Sequence, residues 1–271
     1  LPELPEVETT RRGIEPHLVG RTVVALNVHE PRLRWPIPAG LAVELVGQRV
    51  ERTGRRAKYL LIELTRGTLL WHLGMSGSLR VLPACAPRGA HDHVDLVLDS
   101  GFLLRFNDPR RFGSIHYTTG DPHTHPLLGR LAPEPFDREF DADYLWRITR
   151  RRRAAIKTLL MNSHLVVGVG NIYANEALFR ARVRPQRAAR TITRAEARRL
   201  VRSIRAVLTV AIRAGGTTLR DYVGADGNPG WFRQRLYVYE RDGKSCRRCR
   251  TPVRAITQGQ RSSYYCPACQ R

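Results

Sequence analysis

Three of the 46 basic residues are lysine and the other 43 are arginine. Arginine stays protonated at any usable pH, while lysine can lose its proton and act as an acid, a base or an amine nucleophile. Each lysine therefore asks why arginine would not serve. Lys58 lies in Arg55-Arg56-Ala57-Lys58-Tyr59, Lys157 follows the run Arg150–Arg153, and Lys244 precedes a cysteine pair. The plain alternative is drift in an arginine-biased genome.

Four of the five cysteines form Cys246-x2-Cys249 and Cys266-x2-Cys269, with 16 residues between the pairs. That is the spacing of a zinc ribbon, two tight knuckles closing four thiolates into a tetrahedron. Such a site has no open position, so one structural Zn²⁺ is expected. Two disulfides would need an oxidising compartment, which no other feature supports. Cys85 is expected to be an ordinary thiol.

The net charge of +22 is lopsided. Residues 1–131 hold 17 basic and 13 acidic residues, and 132–271 hold 29 and 11, giving +4 and +18. A field that strong points to a polyanion, nucleic acid first. No stretch approaches the ~20 apolar residues of a membrane span, and no signal-peptide pattern opens the chain. A soluble intracellular protein with no membrane partner is expected.

The elements that must carry these residues follow from local pattern. Pro5, Glu6 and Glu8 suit the first turn of a helix over 5–18, with Val7, Ile14 and Leu18 on one face. From 21 to 118 short runs such as Thr22–Val28, Tyr59–Leu64, Thr68–His72, Val94–Leu98 and Phe102–Phe106 predict a β sandwich or barrel. Prolines at 122, 126, 133 and 135 mark a linker. The segment 154–185 reads as helix, glycine turn, helix. Thr193 and Glu196 form a capping box for a helix with the stripe Leu200, Val201, Ile204, Val207, Leu208, Ala211 and Ile212. Its exposed face holds Arg194, Arg198, Arg199, Arg202 and Arg205, and Gly215-Gly216 stops it.

Several turns suit a polyanion. Gly168-Val169-Gly170-Asn171 opens a helix and is a plausible phosphate cradle, though a helix hairpin needing positive φ explains it too. Arg150–Arg153 suits phosphate contact or a solvated face. Asp108-Pro109-Arg110-Arg111-Phe112-Gly113 puts arginine and an apolar wedge on one turn; a buried Phe112 beside a paired arginine is the simpler account. Met75, in Leu73–Gly77, reads by default as core filler.

The opening Leu1-Pro2-Glu3-Leu4-Pro5-Glu6-Val7-Glu8-Thr9 strongly resembles the amino terminus of the formamidopyrimidine-DNA glycosylase family, bacterial enzymes that excise oxidised purines. The resemblance runs along nearly the whole chain, through 55–59, 72–77, His91–Asp95, 108–113, 168–173, Gly215-Gly216-Thr217-Thr218 and the four-cysteine ribbon with Gln260-Arg261 between its pairs. It implies a multidomain α+β fold: an N-terminal β-sandwich with a flanking helix (1–131), a helical domain with a helix-two-turn-helix (132–235), and a zinc ribbon (236–271).

The resemblance also implies roles. Pro2 would be the nucleophile through a free amino-terminal nitrogen, Glu3 the general acid or base on the opening sugar, and Lys58 a proton donor near the leaving base and phosphate. Arg261 would hold the phosphate beside the lesion and assist a second elimination. His91, Arg110, Arg152 and Asn171 resemble DNA-contact positions, and Lys157 a site linked to recognition of the damaged base. Met75, Arg110 and Phe112 would fill the gap left by the flipped nucleotide, with Arg110 facing the widowed cytosine. A loop over 217–230 would close on that nucleotide. The partner implied is double-stranded DNA with oxidised bases or abasic sites, bound by a monomer in the bacterial cytoplasm.

One departure is Leu1, since an acylated Pro2 has no nucleophilic nitrogen. The expectation is a CTG or TTG start read literally, with the initiator removed before Pro2, which intact mass would test. Two rivals remain: an endonuclease VIII-like glycosylase preferring oxidised pyrimidines, and a non-enzymatic zinc-containing DNA-binding regulator.

Overall fold

The computed structural model describes residues 2–216 and 236–271. The expected loop over 217–230 lies outside them. The described residues fall into two compact units, one of residues 2–129 with 214–216, the other of 130–213 with 236–271.

In the first unit, helix α1 (Leu4–Leu18) begins with Pro5 in its first turn and Glu3 at its N-cap. Eight strands follow: β1 (Val23–Val28), β2 (Val50–Arg56), β3 (Tyr59–Leu64), β4 (Gly67–His72), β5 (Ser78–Pro83), β6 (Asp92–Leu98), β7 (Phe102–Asn107) and β8 (Ser114–Thr118). A short helix α2 (Leu41–Leu45) links β1 and β2. The strands form two four-stranded antiparallel sheets, ordered β1-β6-β7-β5 and β2-β3-β4-β8. Their inner faces make one core that includes Leu60, Ile62, Leu69 and Trp71 from one sheet and Leu79, Val94, Leu96, Leu104 and Phe106 from the other. Val7, Ile14 and Leu18 of α1 join that core, so the helix rests on the sandwich by its predicted face.

Three ion pairs and hydrogen bonds pin α1 to β2. Arg55 meets Glu8 at 3.4 Å, Arg11 donates to the Thr53 hydroxyl at 3.3 Å, and that hydroxyl donates to Glu15 at 3.1 Å. Burial pushes the Glu8 carboxyl up, but hydrogen bonds from Arg11 and Arg12 and the charges of Arg11 and Arg55 outweigh it and hold the group below its ordinary range.

The second unit is helical: α3 (Ala142–Thr149), α4 (Ile156–Leu160), α5 (Asn171–Ala181) and α6 (Arg194–Arg213), then a hairpin of β9 (Arg254–Gln258) and β10 (Arg261–Tyr265). The capping box forms as expected, with Glu196 N–H donating to Thr193 Oγ1 at 3.2 Å and Thr193 N–H to Glu196 Oε2 at 2.9 Å. The predicted α6 stripe is buried from Leu200 to Ala211. Arg205, expected on the solvated face, instead donates to the carbonyls of Pro135, Asp137 and Phe140 at 2.8–2.9 Å. It closes the incoming chain onto α6.

Candidate active site and nucleic-acid interface

Pro2 and Glu3 are buried at the head of α1. Glu3 N–H donates to Glu6 Oε2 at 2.9 Å, one half of a capping box that also uses the Glu3 carboxylate. The backbone that presents Pro2 is therefore fixed. Gly216 sits against this turn with φ 79°, and a Cβ there would come within 3.2 Å of Glu6 Oε1.

Lys58 occupies the two-residue turn between β2 and β3, whose flanking pair is Arg56 and Tyr59. Ala57 takes φ 54° to make that turn, and its carbonyl accepts from Arg55 at 2.9 Å. Strand β2, which leads into the Lys58 turn, is the strand that α1 is pinned to through Glu8, Arg11 and Glu15.

His72, on β4, stacks obliquely on Tyr59, ring centroids 4.7 Å apart. Its Nδ1 accepts the Gly74 N–H at 3.0 Å, so the neutral ring carries its proton on Nε2. Burial, then the charges of Lys58, Arg34 and His116, lowers its pKa from 6.5 to about 4. The unfolded chain then binds the extra proton between those two values, so this group's stabilisation is complete above pH 6.5 and is lost as pH falls towards 4. The shift corresponds to at most about 3 kcal/mol, reduced because the residue is only partly buried. The urea midpoint of wild type relative to that of His72→Asn, which keeps an acceptor for Gly74, should fall as pH drops from 6.5 towards 4. A constant difference across that range would refute the assignment.

The predicted gap-filling residues are brought together. Met75 is half-buried on the loop after β4, and Arg110 and Phe112 lie exposed on the turn after β7. The Arg110 guanidinium sits 4.8 Å from the Phe112 ring centroid. The two loops touch backbone to backbone, since a Cβ on Gly74 (φ 65°) would meet the Phe112 carbonyl carbon at 2.4 Å. Phe112 is 42% exposed, not buried.

His91 is exposed just before β6. Behind it, Arg105 is buried and grips Asp95 through two bonds of 2.8 and 2.9 Å. Arg105 also donates to the carbonyls of Pro87 and Ala86 at 2.7 and 3.2 Å, and Asp92 accepts the Gly89 N–H at 2.7 Å. These bonds hold the segment leading into His91.

In the second unit, Asn171 opens α5 after Gly170, and its side-chain oxygen is buried with no hydrogen-bond partner among the described residues. Arg152 is exposed and donates to the Ile148 carbonyl at 2.9 Å. Arg261 is exposed at the start of β10, across from Gln258. The turn between them uses positive φ at Gly259 and Gln260, the pairing favoured in a tight hairpin.

Lys157 is not at the surface. It is 2% exposed, and its ammonium donates to the Ser262 carbonyl at 2.8 Å and the Ser263 hydroxyl at 2.7 Å. Its charge is spent inside the unit, on the residues that follow Arg261. Two neighbours absent from the sequence reading act alike. Asn175 accepts the Tyr264 N–H at 2.7 Å. Glu176 accepts the N–H groups of Tyr237, Val238 and Tyr239 at 2.9–3.0 Å. Burial raises the Glu176 pKa against the pull of those three amides. The signal was present: an amide and a carboxylate inside the apolar run Ile172–Phe179.

The four sulfurs of Cys246, Cys249, Cys266 and Cys269 lie within 4.8 Å of one another, and no cysteine is disulfide-bonded. A zinc–thiolate bond of about 2.3 Å spaces tetrahedral sulfurs by about 3.8 Å, so the cluster fits one ion. Burial and the Cys249 and Cys266 thiols push Cys269 up to about 12, the penalty a bound cation removes. Gln270 braces the second knuckle, accepting from Cys266 N–H and donating to the Val183 carbonyl.

Residues 1–115 match the model of the formamidopyrimidine-DNA glycosylase N-terminal domain, 131–223 that of the H2TH domain of the same enzymes, and 243–271 a zinc finger found in FPG and IleRS. The formamidopyrimidine-DNA glycosylase of Thioalkalivibrio sulfidiphilus is 62% identical over 271 residues and that of Alkalilimnicola ehrlichii 56% over 277, each covering both chains completely. The crystal structure of MutM (FPG) from Thermus thermophilus superposes with TM-score 0.89 at 40% identity, covering 99% of this chain and 98% of that one. A Lactococcus lactis FPG mutant in complex with Fapy-dG-containing DNA gives 0.93 at 33%, covering both chains fully. With an N-terminal β-sandwich, an H2TH helical region and a four-cysteine ribbon in family order, the chain belongs to the formamidopyrimidine-DNA glycosylase family.

Proposed function

We propose that the protein is a bifunctional base-excision repair enzyme, a DNA glycosylase for oxidised purines that also cleaves the strand at the abasic site. The observation that carries this reading is the head of α1: Pro2 directly ahead of an N-cap glutamate, on a helix pinned by Arg55 and Thr53 to strand β2, which leads into the Lys58 turn.

The chemistry follows from residue type. An unacylated α-amine titrates near 7.7–8.0, far below lysine, so a useful share is unprotonated at neutral pH. The Pro2 nitrogen attacks the sugar C1′, a C–N bond forms, and the bond to the base breaks, with Lys58 protonating the departing side. Glu3 moves the proton of the opening sugar oxygen. A secondary amine leaves an iminium that has no N–H to lose, so it remains an electron sink. It acidifies C2′, and loss of that proton expels the 3′ phosphate. A second elimination, assisted by Arg261 on the 5′ phosphate, completes the cut. His91, Arg110, Arg152 and Asn171 serve DNA contact. Lys157 acts on the lesion through the hairpin that carries Arg261. Cys246, Cys249, Cys266 and Cys269 would hold zinc, which would brace the two ends of that hairpin and supply no bond-making chemistry.

Among the described residues no helix is long and apolar enough to cross a membrane. Monomeric action in the bacterial cytoplasm, on nucleoid DNA, completes the proposal. Wild-type Lactococcus lactis FPG has been crystallised with DNA containing an oxidised pyrimidine, so substrate preference is the measurement to make. Excision of 8-oxoguanine opposite cytosine should exceed that of thymine glycol, and borohydride should trap a covalent adduct with either. Preference for thymine glycol favours the pyrimidine-type enzyme, and no adduct favours a binding regulator.

A further inference from the structure

Asp108 is fully buried at the start of the Arg110–Phe112 turn. An aspartate opening such a turn usually accepts from its own turn two residues on. This one reaches farther. Oδ1 accepts the Ser76 hydroxyl at 2.7 Å, and Oδ2 accepts the Gly113 N–H at 2.8 Å. The Ser76 oxygen in turn accepts the Arg110 N–H at 3.2 Å. Asp108 N–H donates to the His91 carbonyl at 3.0 Å, and the Asp108 carbonyl accepts from His93 Nε2 at 2.8 Å. One residue thus ties together the Met75 loop, the Arg110–Phe112 turn and the His91 segment.

We propose that Asp108, acting with Ser76, is a positioning residue that sets the mutual placement of Met75, Arg110 and Phe112, and through it the enzyme's discrimination of the base opposite the lesion. The proposal rests on the reading that these three side chains enter the duplex. Its physical basis is that the two loops meet at their backbones and through the Ser76–Asp108 bond. Arg110 is on a turn whose neighbour, Arg111, already takes φ 55°. Its own backbone bond, Arg111 N–H to the Asp108 carbonyl at 3.1 Å, closes the turn, and a separate anchor is what holds the closed turn against the Met75 loop. The Asp108 carboxyl is that anchor, because both of its oxygens are used and neither faces solvent.

The test uses the full zinc-loaded chain and four forms: wild type, Asp108→Asn, Ser76→Ala and the double variant. Single-turnover excision of 8-oxoguanine opposite cytosine and opposite adenine is measured per active molecule, with active molecules counted by borohydride trapping on an abasic duplex. Asp108→Asn keeps the shape and one acceptor but presents an amide N–H₂ to one of two donors. Each single variant should lower the cytosine-over-adenine preference about tenfold, the worth of one buried hydrogen bond to a charged group. The double variant should lose less than the product of the two single losses, since the two variants share the Ser76–Asp108 bond. Rates on the abasic duplex, where no base is released, should change less than about twofold per active molecule. A wild-type preference that all three variants share overturns the proposal. So does a loss confined to the number of active molecules, which marks a folding role only. A wild type with no preference at all instead overturns the underlying assignment of Arg110.

Discussion

An enzyme whose Pro2 nitrogen is acylated, by a retained or engineered residue ahead of it, should form no borohydride adduct and should lose excision by at least about 10⁴-fold, while still binding abasic duplex. The amide nitrogen has given its lone pair to the carbonyl, so nothing remains to attack C1′. Pro2→Ala separates the nucleophile from the ring. A free primary amine still attacks, but its imine can lose the proton that keeps it an electron sink, so trapping should survive while strand cleavage falls about 10²-fold. Glu3 must be tested with care, because it is also the N-cap of α1. Glu3→Ala removes a cap worth about 1 kcal/mol as well as a carboxylate. Glu3→Gln keeps an acceptor for the helix and removes only the acid, so a loss of excision at unchanged melting temperature assigns the chemistry. If acylated protein cuts at the wild-type rate, the covalent mechanism is wrong.

What could be read in advance was local. Helix α1 announced itself through Pro5, Glu6 and Glu8, α6 through Thr193 and Glu196, and the zinc knuckles through spacing, because each depends on residues within a turn of one another. Strand β2 was not singled out. Its sequence, Val50-Glu51-Arg52-Thr53-Gly54-Arg55-Arg56, has no apolar alternation, and it is a strand because its charges find partners elsewhere: Arg52 on Glu63 at 2.8 Å and Arg55 on Glu8 at 3.4 Å. Family resemblance linked Lys157 to recognition of the damaged base, and its ammonium bonds to residues more than a hundred positions away. No periodicity reports a contact of that range. The same holds for Asp108, visible as part of a motif but not as the joint between three segments. The run Arg150–Arg153 shows the limit from the other side. Arg150 stacks on Trp146 at 4.9 Å and donates to the Ile192 carbonyl, whereas Arg152 stays exposed, so residues alike in type and adjacent in sequence are put to different uses.

Stripping the metal should be the most damaging change outside the head of α1. The apolar cluster around the ribbon contains only Phe179, Val238, Cys246, Val253 and Cys266 as buried members among the described residues, too little to hold a hairpin without the ~10–16 kcal/mol that a structural zinc site supplies. Chelation or Cys246→Ser should therefore release residues 241–271, which hydrogen exchange of the β9–β10 amides would detect. The damage does not stop there. Lys157 loses Ser262 and Ser263, Asn175 loses Tyr264, and the three amides held by Glu176 lead straight into the ribbon. These side-chain bonds tie α4 and α5 to the hairpin, so both helices should loosen with the ribbon and carry Asn171 with them. Excision should fall about 10³-fold or more if, as proposed, Arg261 and Asn171 are phosphate ligands that are displaced together, and zinc added back should restore it. Lys157→Met probes the same joint from the opposite side: with zinc bound it removes the buried charge, leaves the Ser262 carbonyl unpaired, and should slow excision while metal content stays at one ion per chain. Apoprotein that keeps protected hairpin amides and full excision would show that the ribbon stands without its metal, and the link from zinc through Lys157 to Arg261 would fall with it.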